Sequence, residues 1–212
     1  TDLTKTNSWK LMEQLGITIR MINITDACLQ HFEDIGHKRD SYDVTYENTQ
    51  ARERTQILMD IANKEGGIVV GTGDMSELAL GWCTYNGDHM SMYAVNVSVP
   101  KTLVKYLVRA YAELHPDVHD TLESICDTII SPELLPLDAQ GNIAQSTEAT
   151  IGKYDLHDFF LYHFVRNGFT KEKIQKLAEI AFAQKNVTKE EITSTLDNFF
   201  RRFYAQQFKR SC

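Results

Sequence analysis

The hydrophobic positions divide the chain into stretches of helical spacing separated by shorter stretches of strand-like spacing. Leu11, Met12 and Leu15 recur at helical intervals, and Gly16 follows as a helix stop. Residues 17–24 then alternate, as a half-buried strand does. A second helix is predicted over residues 26–35, ending at Gly36, and the polar residues 37–43 read as a loop. Residues 46–64 return to helical spacing, with Leu58, Ile61 and Ala62 as the buried stripe and Gly66 and Gly67 as the break. Ile68, Val69 and Val70 form a short continuous apolar run, the mark of a strand buried on both faces in a parallel sheet.

Residues 93–99 read as a further strand. Pro100 opens a helix that carries Leu103, Val104, Leu107, Val108 and Tyr111 on one face. Beyond Pro116 the pattern loosens. Residues 131–152, with Pro132, Pro136 and Gly141, read as a long loop of the kind that is functional or mobile. The remainder is helical, over residues 154–167, 170–184 and 188 to about 208. Thr188 and Glu191 stand at capping-box spacing ahead of Ile192, Leu196, Phe199, Phe200 and Phe203. No internal repeat or low-complexity tract interrupts this order.

Helix, strand, helix, strand is the pattern of an α/β fold with a doubly wound, Rossmann-like parallel sheet, here followed by C-terminal helices. Ligands of such folds bind beyond the carboxyl ends of the strands. With 212 residues, 42% of them hydrophobic, and no linker-like gap, a single domain over residues 1–212 is expected. The net charge of −7 argues against a general nucleic-acid binder, so an anionic ligand must be held by a few local cations. No apolar run approaches the roughly 20 residues of a membrane span, and the polar residues 1–9 carry no signal-peptide core. A cytoplasmic protein with no membrane segment is expected. Cys28, Cys83, Cys126 and Cys212 are widely spaced and form no CxxC pair, which argues against structural zinc or a disulfide framework. The seven histidines form no metal-ligand cluster, and His157 and His163 fall on different faces of one helical stretch. The chain opens directly into a helical pattern and stops at residue 212 without a closing cap, as expected of a piece of a longer polypeptide.

Candidate chemistry begins at Gly71-Thr72-Gly73. After a buried strand, these residues place backbone N–H groups and the Thr72 hydroxyl at a helix N-terminus, suited to a phosphate or an adenine ribose. A plain strand-to-helix turn accounts for the same glycines. Glu77, about one turn into that helix, can face the same crevice and bind Mg²⁺ beside phosphate oxygens, although a lone helical glutamate is ordinarily solvated. Asn48 and Arg52 are i and i+4 on one helix, so Arg52 can clamp a carboxylate or phosphate, while Arg54 points elsewhere. A solvated charged face explains that run equally simply. Lys101 stands at a helix start, where the macrodipole disfavours a cation and an anionic partner would compensate. Composition and spacing thus reach an α/β domain with a nucleotide-like crevice and leave its reaction open.

Several motifs in a fixed order narrow the choice. Residues 46–54 (YENTQARER), 71–82 (GTGDMSELALGW), 84–88 (TYNGD), 99–101 (VPK) and 147–155 (TEATIGKYD) resemble the synthetase domain of NAD⁺ synthetases over nearly the whole chain. The wording of residues 74–79 and 85–90 is closer to the glutamine-dependent branch than to the ammonia-using one. The resemblance implies the ATP-pyrophosphatase, or adenine nucleotide alpha-hydrolase, type of sheet. It also implies a reaction in which ATP and Mg²⁺ adenylate the nicotinate carboxylate of deamido-NAD and ammonia then displaces AMP. It places Thr72, Lys101, Ser131 and Lys209 at ATP, and Glu77 on Mg²⁺. Asn48, Arg52, Glu77, Asp88 and Glu148 fall at deamido-NAD, and Asp88 and Lys101 among the catalytic groups, Asp88 positioning ammonium or helping to remove its proton. Lys209-Arg210 resembles a basic pair that closes over phosphates, with Phe208 where a histidine is often found. The family's Ser-Gly-Gly-x-Asp-Ser pyrophosphate loop does not occur in this sequence, nor does a cysteine-hydrolase domain. The chain by itself is therefore expected not to form NAD⁺, and its residues to act within a parent protein that pairs as a homo-oligomer and carries the glutaminase domain. Another ATP-pyrophosphatase amidotransferase, such as a GMP or asparagine synthetase, would share the crevice but would not be expected to carry the 71–88 motifs. A dimerisation or scaffold module is the non-enzymatic alternative.

Overall fold

The computed structural model describes residues 2–128, 134–135 and 147–210. In chain order the elements are α1 (Asp2–Gln14), α2 (Thr25–Asp34), α3 (Val44–Glu65), β1 (Val70–Gly71), α4 (Met75–Leu80), β2 (Tyr93–Ala94), α5 (Lys101–Leu114) and α6 (His119–Asp127). After these come α7 (Thr147–Ile151), α8 (Tyr154–Leu161), a π-helical turn (Tyr162–Arg166), α9 (Lys171–Ala181), α10 (Lys189–Ala205) and a 3₁₀ turn (Gln207–Arg210). They fall into two units, residues 1–67 with 103–146 and residues 68–102 with 147–212.

In the first unit, α3 starts where the Asp43 carboxylate accepts from the N–H groups of Thr45 at 2.8 Å and Tyr46 at 3.1 Å. It ends at Gly66, whose φ of 68° is the left-handed cap that glycine adopts without strain. Thr121 donates to Gln14 at 2.8 Å and Asn7 to Ser124 at 2.9 Å, joining α1 to α6 beside a small core of Ala112, Val118 and Leu122. The helix α6 lies where the sequence pattern loosens and no element was expected.

Residues 17–24 differ from the expected strand. No ladder forms there among the described residues, and Ile17, Met21 and Ile22 are exposed. Alternation prepares a segment for a sheet, but strand structure needs a neighbouring backbone to complete its hydrogen bonds. The expected stripe on α3 is likewise only partly buried: Ala62 is covered, while Leu58 remains 52% exposed.

The second unit contains the sheet. β1 and β2 pair in parallel, with Val70 opposite Tyr93 and Gly71 opposite Ala94. This matches the expected α/β class with C-terminal helices, although the strands are shorter than read from the sequence, and Ile68 and Val70 are exposed rather than buried. Gly71 is required by close approach, because a Cβ there would stand 2.3 Å from the Ser91 hydroxyl oxygen. The core of this unit lies among its helices, where α4, α8, α9 and α10 bury Leu80, Leu156, Phe160, Ile174, Leu196 and Phe199. The helix expected over residues 154–167 widens into the π turn after Leu161. At the start of α10, Thr188 accepts from Glu191 N–H at 3.1 Å, while the Glu191 carboxylate pairs with Lys153 at 3.0 Å, so only half of the expected capping box forms. Residues 147–151, expected within the long loop, are helical; residues 131–133 and 136–146 lie outside the described residues. No described helix is long and apolar enough to cross a membrane.

Candidate active site around Lys101

The turn from β1 into α4 is fixed by a complete capping box. Asp74 is the N-cap, and its Oδ1 accepts from the N–H groups of Ser76 and Glu77, each at 3.0 Å. Glu77 Oε2 returns to the Asp74 N–H at 3.2 Å. These bonds leave the second oxygen of each carboxylate facing one cation. Lys101 Nζ lies 2.6 Å from Asp74 Oδ2 and 2.7 Å from Glu77 Oε1, with only 20% of its side chain exposed.

Two carboxylates around one ammonium leave a net negative charge in a poorly solvated place. Burial raises the Glu77 carboxyl above its usual range and Asp74 adds to the rise, while the Lys101 cation pulls the other way. For Lys101, desolvation is the largest influence and lowers its pKa, but the carboxylates of Glu77 and Asp74 together outweigh it and hold the ammonium protonated. The arrangement can therefore present a charged lysine to an anion and a carboxylate to a cation.

Behind this cluster, Asp158 on α8 accepts from the Ser76 hydroxyl and, at Oδ2, from Thr102 N–H at 2.9 Å and Thr102 Oγ1 at 2.7 Å. Ser76 Oγ in turn accepts from Lys101 N–H at 2.9 Å. Burial raises the Asp158 carboxyl against these hydrogen bonds. Tyr154 is buried with its ring 5.7 Å from Lys101 Nζ; burial, then the charges of Glu77 and Asp74, raise its phenol and keep it protonated.

The other expected site residues fall as follows. Thr72 is exposed, and its carbonyl accepts from Asn96 at 3.5 Å. Asp88 closes the 84–88 turn by accepting from Thr84 N–H at 2.6 Å. Lys209 reaches the same region: its Nζ donates to the carbonyls of Gly81 at 2.9 Å and Cys83 at 2.6 Å. Burial lowers the Lys209 pKa, and Asp88 is close enough to oppose that. With Arg202 donating to Leu80 O and Arg210 to Ala79 O, each at 3.0 Å, three cations satisfy carbonyls at the C-terminal end of α4, where the helix dipole favours them. Glu148, on the short helix α7 rather than in a loop, accepts from Tyr154 N–H at 2.9 Å. Asn48 and Arg52 are one turn apart on α3 of the first unit. Ser131 lies outside the described residues.

Sequence reasoning thus reached Lys101 and Glu77 but missed Asp74, Ser76, Tyr154 and Asp158. Asp74 was legible, since Asp-Met-Ser-Glu carries an N-cap residue three positions before a glutamate. The signal at Asp158 was a carboxylate set among the apolar residues Leu156, Phe159 and Phe160.

The sequence model for the NAD synthase family matches residues 1–210. The chain belongs to that family. It is 43% identical over 234 residues to the glutamine-dependent NAD(+) synthetase of Mycobacterium leprae, covering 99% of this chain and 34% of that protein. The enzyme of the same name from Mycobacterium tuberculosis strain H37Rv is also 43% identical, over 98% of this chain and 34% of that protein. The chain therefore spans about a third of the length of these relatives. Among solved structures, a glutamine-dependent NAD(+) synthetase from Cytophaga hutchinsonii shares the fold with a TM-score of 0.73 at 21% identity, over 99% of this chain and 32% of that one. An NMN synthetase from Francisella tularensis shares it with a TM-score of 0.70 at 21% identity, over 98% of this chain and 71% of that one.

Proposed function

We propose that this family member contributes to the amide-forming centre of a glutamine-dependent NAD⁺ synthetase, in which ATP adenylates the carboxylate of deamido-NAD and ammonia then displaces AMP. The observation that carries the reading is the Lys101 ammonium, held protonated between Asp74 and Glu77 beside the strand-to-helix turn at Thr72. Adenylation requires neutralisation of a pyrophosphate leaving group and in-line placement of a carboxylate, and a pre-fixed ammonium serves the first demand without reorganising.

In this reading Lys101 and Lys209 meet the phosphates, with Thr72 and Ser131 at ATP. Among the described residues Lys209 uses two of its three ammonium donors on backbone carbonyls, and in this reading the third meets an anion. Asn48, Arg52 and Glu148 are each assigned to the anionic dinucleotide by the family resemblance. Asp88 meets the incoming ammonia. Among the described residues no group of three or more His, Cys, Asp or Glu side chains is arranged to hold a metal ion. Glu77 fits Mg²⁺ as a single protein ligand, since its side chain is 27% exposed and Mg²⁺ ordinarily combines one or two carboxylates with water and phosphate oxygens. Bound there, Mg²⁺ would offset phosphate charge. The reading includes a cytoplasmic parent polypeptide that carries the glutaminase domain and pairs with a second copy; the exposed Leu107 and Leu114 on α5 support pairing.

Calorimetric titration of deamido-NAD into the chain, with Arg52→Ala as control, tests the dinucleotide assignment: binding is expected in the first and lost in the second. In the parent protein, Lys101→Met should lower deamido-NAD-dependent AMP formation by about 100-fold. Unchanged AMP formation in that variant would overturn the reading. The chain alone should release no AMP from ATP and deamido-NAD, and release of AMP would refute its dependence on the parent.

A further inference from the structure

The helix α5 begins at Lys101, and the first N–H groups of any helix lack intrahelical acceptors. Usually the residue before the helix supplies a side-chain oxygen, but here that residue is Pro100, which has none. The acceptors come instead from two other helices. Lys101 N–H donates to Ser76 Oγ on α4, and Thr102 N–H donates to Asp158 Oδ2 on α8, each at 2.9 Å.

The two acceptors are themselves joined, because the Ser76 hydroxyl donates to Asp158 Oδ1. Asp158 also holds the Thr102 hydroxyl at 2.7 Å. One carboxylate thus ties the start of α4, the start of α5 and the second turn of α8 into a single hydrogen-bonded unit. Its negative charge also lies at the N-terminus of α5, where it offsets the unfavourable placement of the Lys101 cation. The Lys101 main chain is held by Ser76 and that of the next residue, Thr102, by Asp158, while the Lys101 ammonium is held by Asp74 and Glu77.

We propose that Asp158 is a positioning residue of the synthetase centre, acting through Ser76 and Thr102 to hold Lys101 where its ammonium meets the phosphates of ATP. This rests on the reading of Lys101 given under Proposed function. Asp158 touches no reacting atom in this scheme. Its contribution is the place of another side chain, for which a displacement of about 1 Å costs on the order of 100-fold in rate.

The test uses the parent synthetase, with AMP formation measured as kcat and as KM for ATP and for deamido-NAD. Asp158→Ala is expected to lower kcat by about 30- to 100-fold while KM for deamido-NAD stays within about 2-fold. Asp158→Asn, which keeps an acceptor for Thr102, should recover part of the loss, and Thr102→Val, which removes only the hydroxyl bond, should lie nearer the unaltered enzyme. Lys101→Arg keeps the charge and changes the reach. If Asp158 acts through Lys101, the double variant Asp158→Ala/Lys101→Arg will lose clearly less than the product of the two single losses. Losses that multiply, or an Asp158→Ala loss that merely tracks the folded fraction measured by thermal unfolding, overturn the proposal. If Lys101→Arg and Lys101→Met both retain full activity, the reading of Lys101 fails instead, whatever Asp158 does.

Discussion

Glu77 Oε1 lies 2.7 Å from Lys101 Nζ, on the same ammonium that Asp74 touches at 2.6 Å. Removing that ammonium leaves two carboxylates facing each other, Asp74 with a side chain only 2% exposed. Lys101→Met should therefore destabilise the fold as well as impair chemistry, by about 2–3 kcal/mol, below the full range for buried pairs because Glu77 is partly solvated. Urea unfolding at pH 7 measures it; an unchanged midpoint would show that the pair contributes nothing to stability.

His157 gives a prediction in pH. It is 1% exposed, with one ring nitrogen 2.8 Å from the Ile151 carbonyl oxygen, and burial lowers its pKa from about 6.5 to about 4. Between those values the unfolded chain binds a proton that the folded chain refuses. The stabilisation is fully present above about pH 6.5 and is lost as pH falls toward 4. From pH 7 to pH 5 the loss should be about 2 kcal/mol. Comparing denaturant midpoints at the two pH values in the unaltered protein and in His157→Gln checks this, the variant being expected to lack that part of the pH dependence.

Gly81 ends α4 at a φ of 58°, and a Cβ there would stand 2.3 Å from Gln206 Cβ. Gly81→Ala combines a left-handed backbone with a clash against the part of Gln206 that cannot swing away. It should cost about 2–4 kcal/mol and loosen the contacts that Arg202 and Lys209 make at the end of this helix. Thermal unfolding, with Gln206→Gly/Gly81→Ala as the relieving pair, distinguishes the clash from the backbone term.

Phe199 is fully buried, with its ring 6.0 Å from Phe160 and 5.3 Å from Phe200. Phe199→Ala should cost about 3–5 kcal/mol. A cost below 1 kcal/mol in urea unfolding would mean that α8 and α10 do not pack as observed.

What the sequence disclosed follows the range of each interaction. Helices with an apolar stripe and a local cap were legible, as with Thr188 at the start of α10, because the information lies within one turn. Lys101 and Glu77 were legible as residues through the family resemblance, whereas their contact across 24 positions was not. Residues 17–24 show the converse: alternation is a local property, but a strand also depends on a backbone lying beside it. Asp158 was invisible as a cap because the donors it serves belong to Ser76 and Thr102, on elements far away in the chain.

The bonds around Lys101 also fix an order of assembly. Ser76 meets Asp158 across 82 positions, and Arg202 reaches the Leu80 carbonyl across 122. Ala79 and Leu80 belong to a core completed by residues of α10. As the chain leaves the ribosome, the segment bearing Thr72, Asp74 and Glu77 therefore emerges long before the helices that cover it, and bringing such distant parts together is slow. Until α8 has been synthesised the start of α5 lacks the Asp158 half of its cap, and until α10 has followed the core against which α4 packs is incomplete.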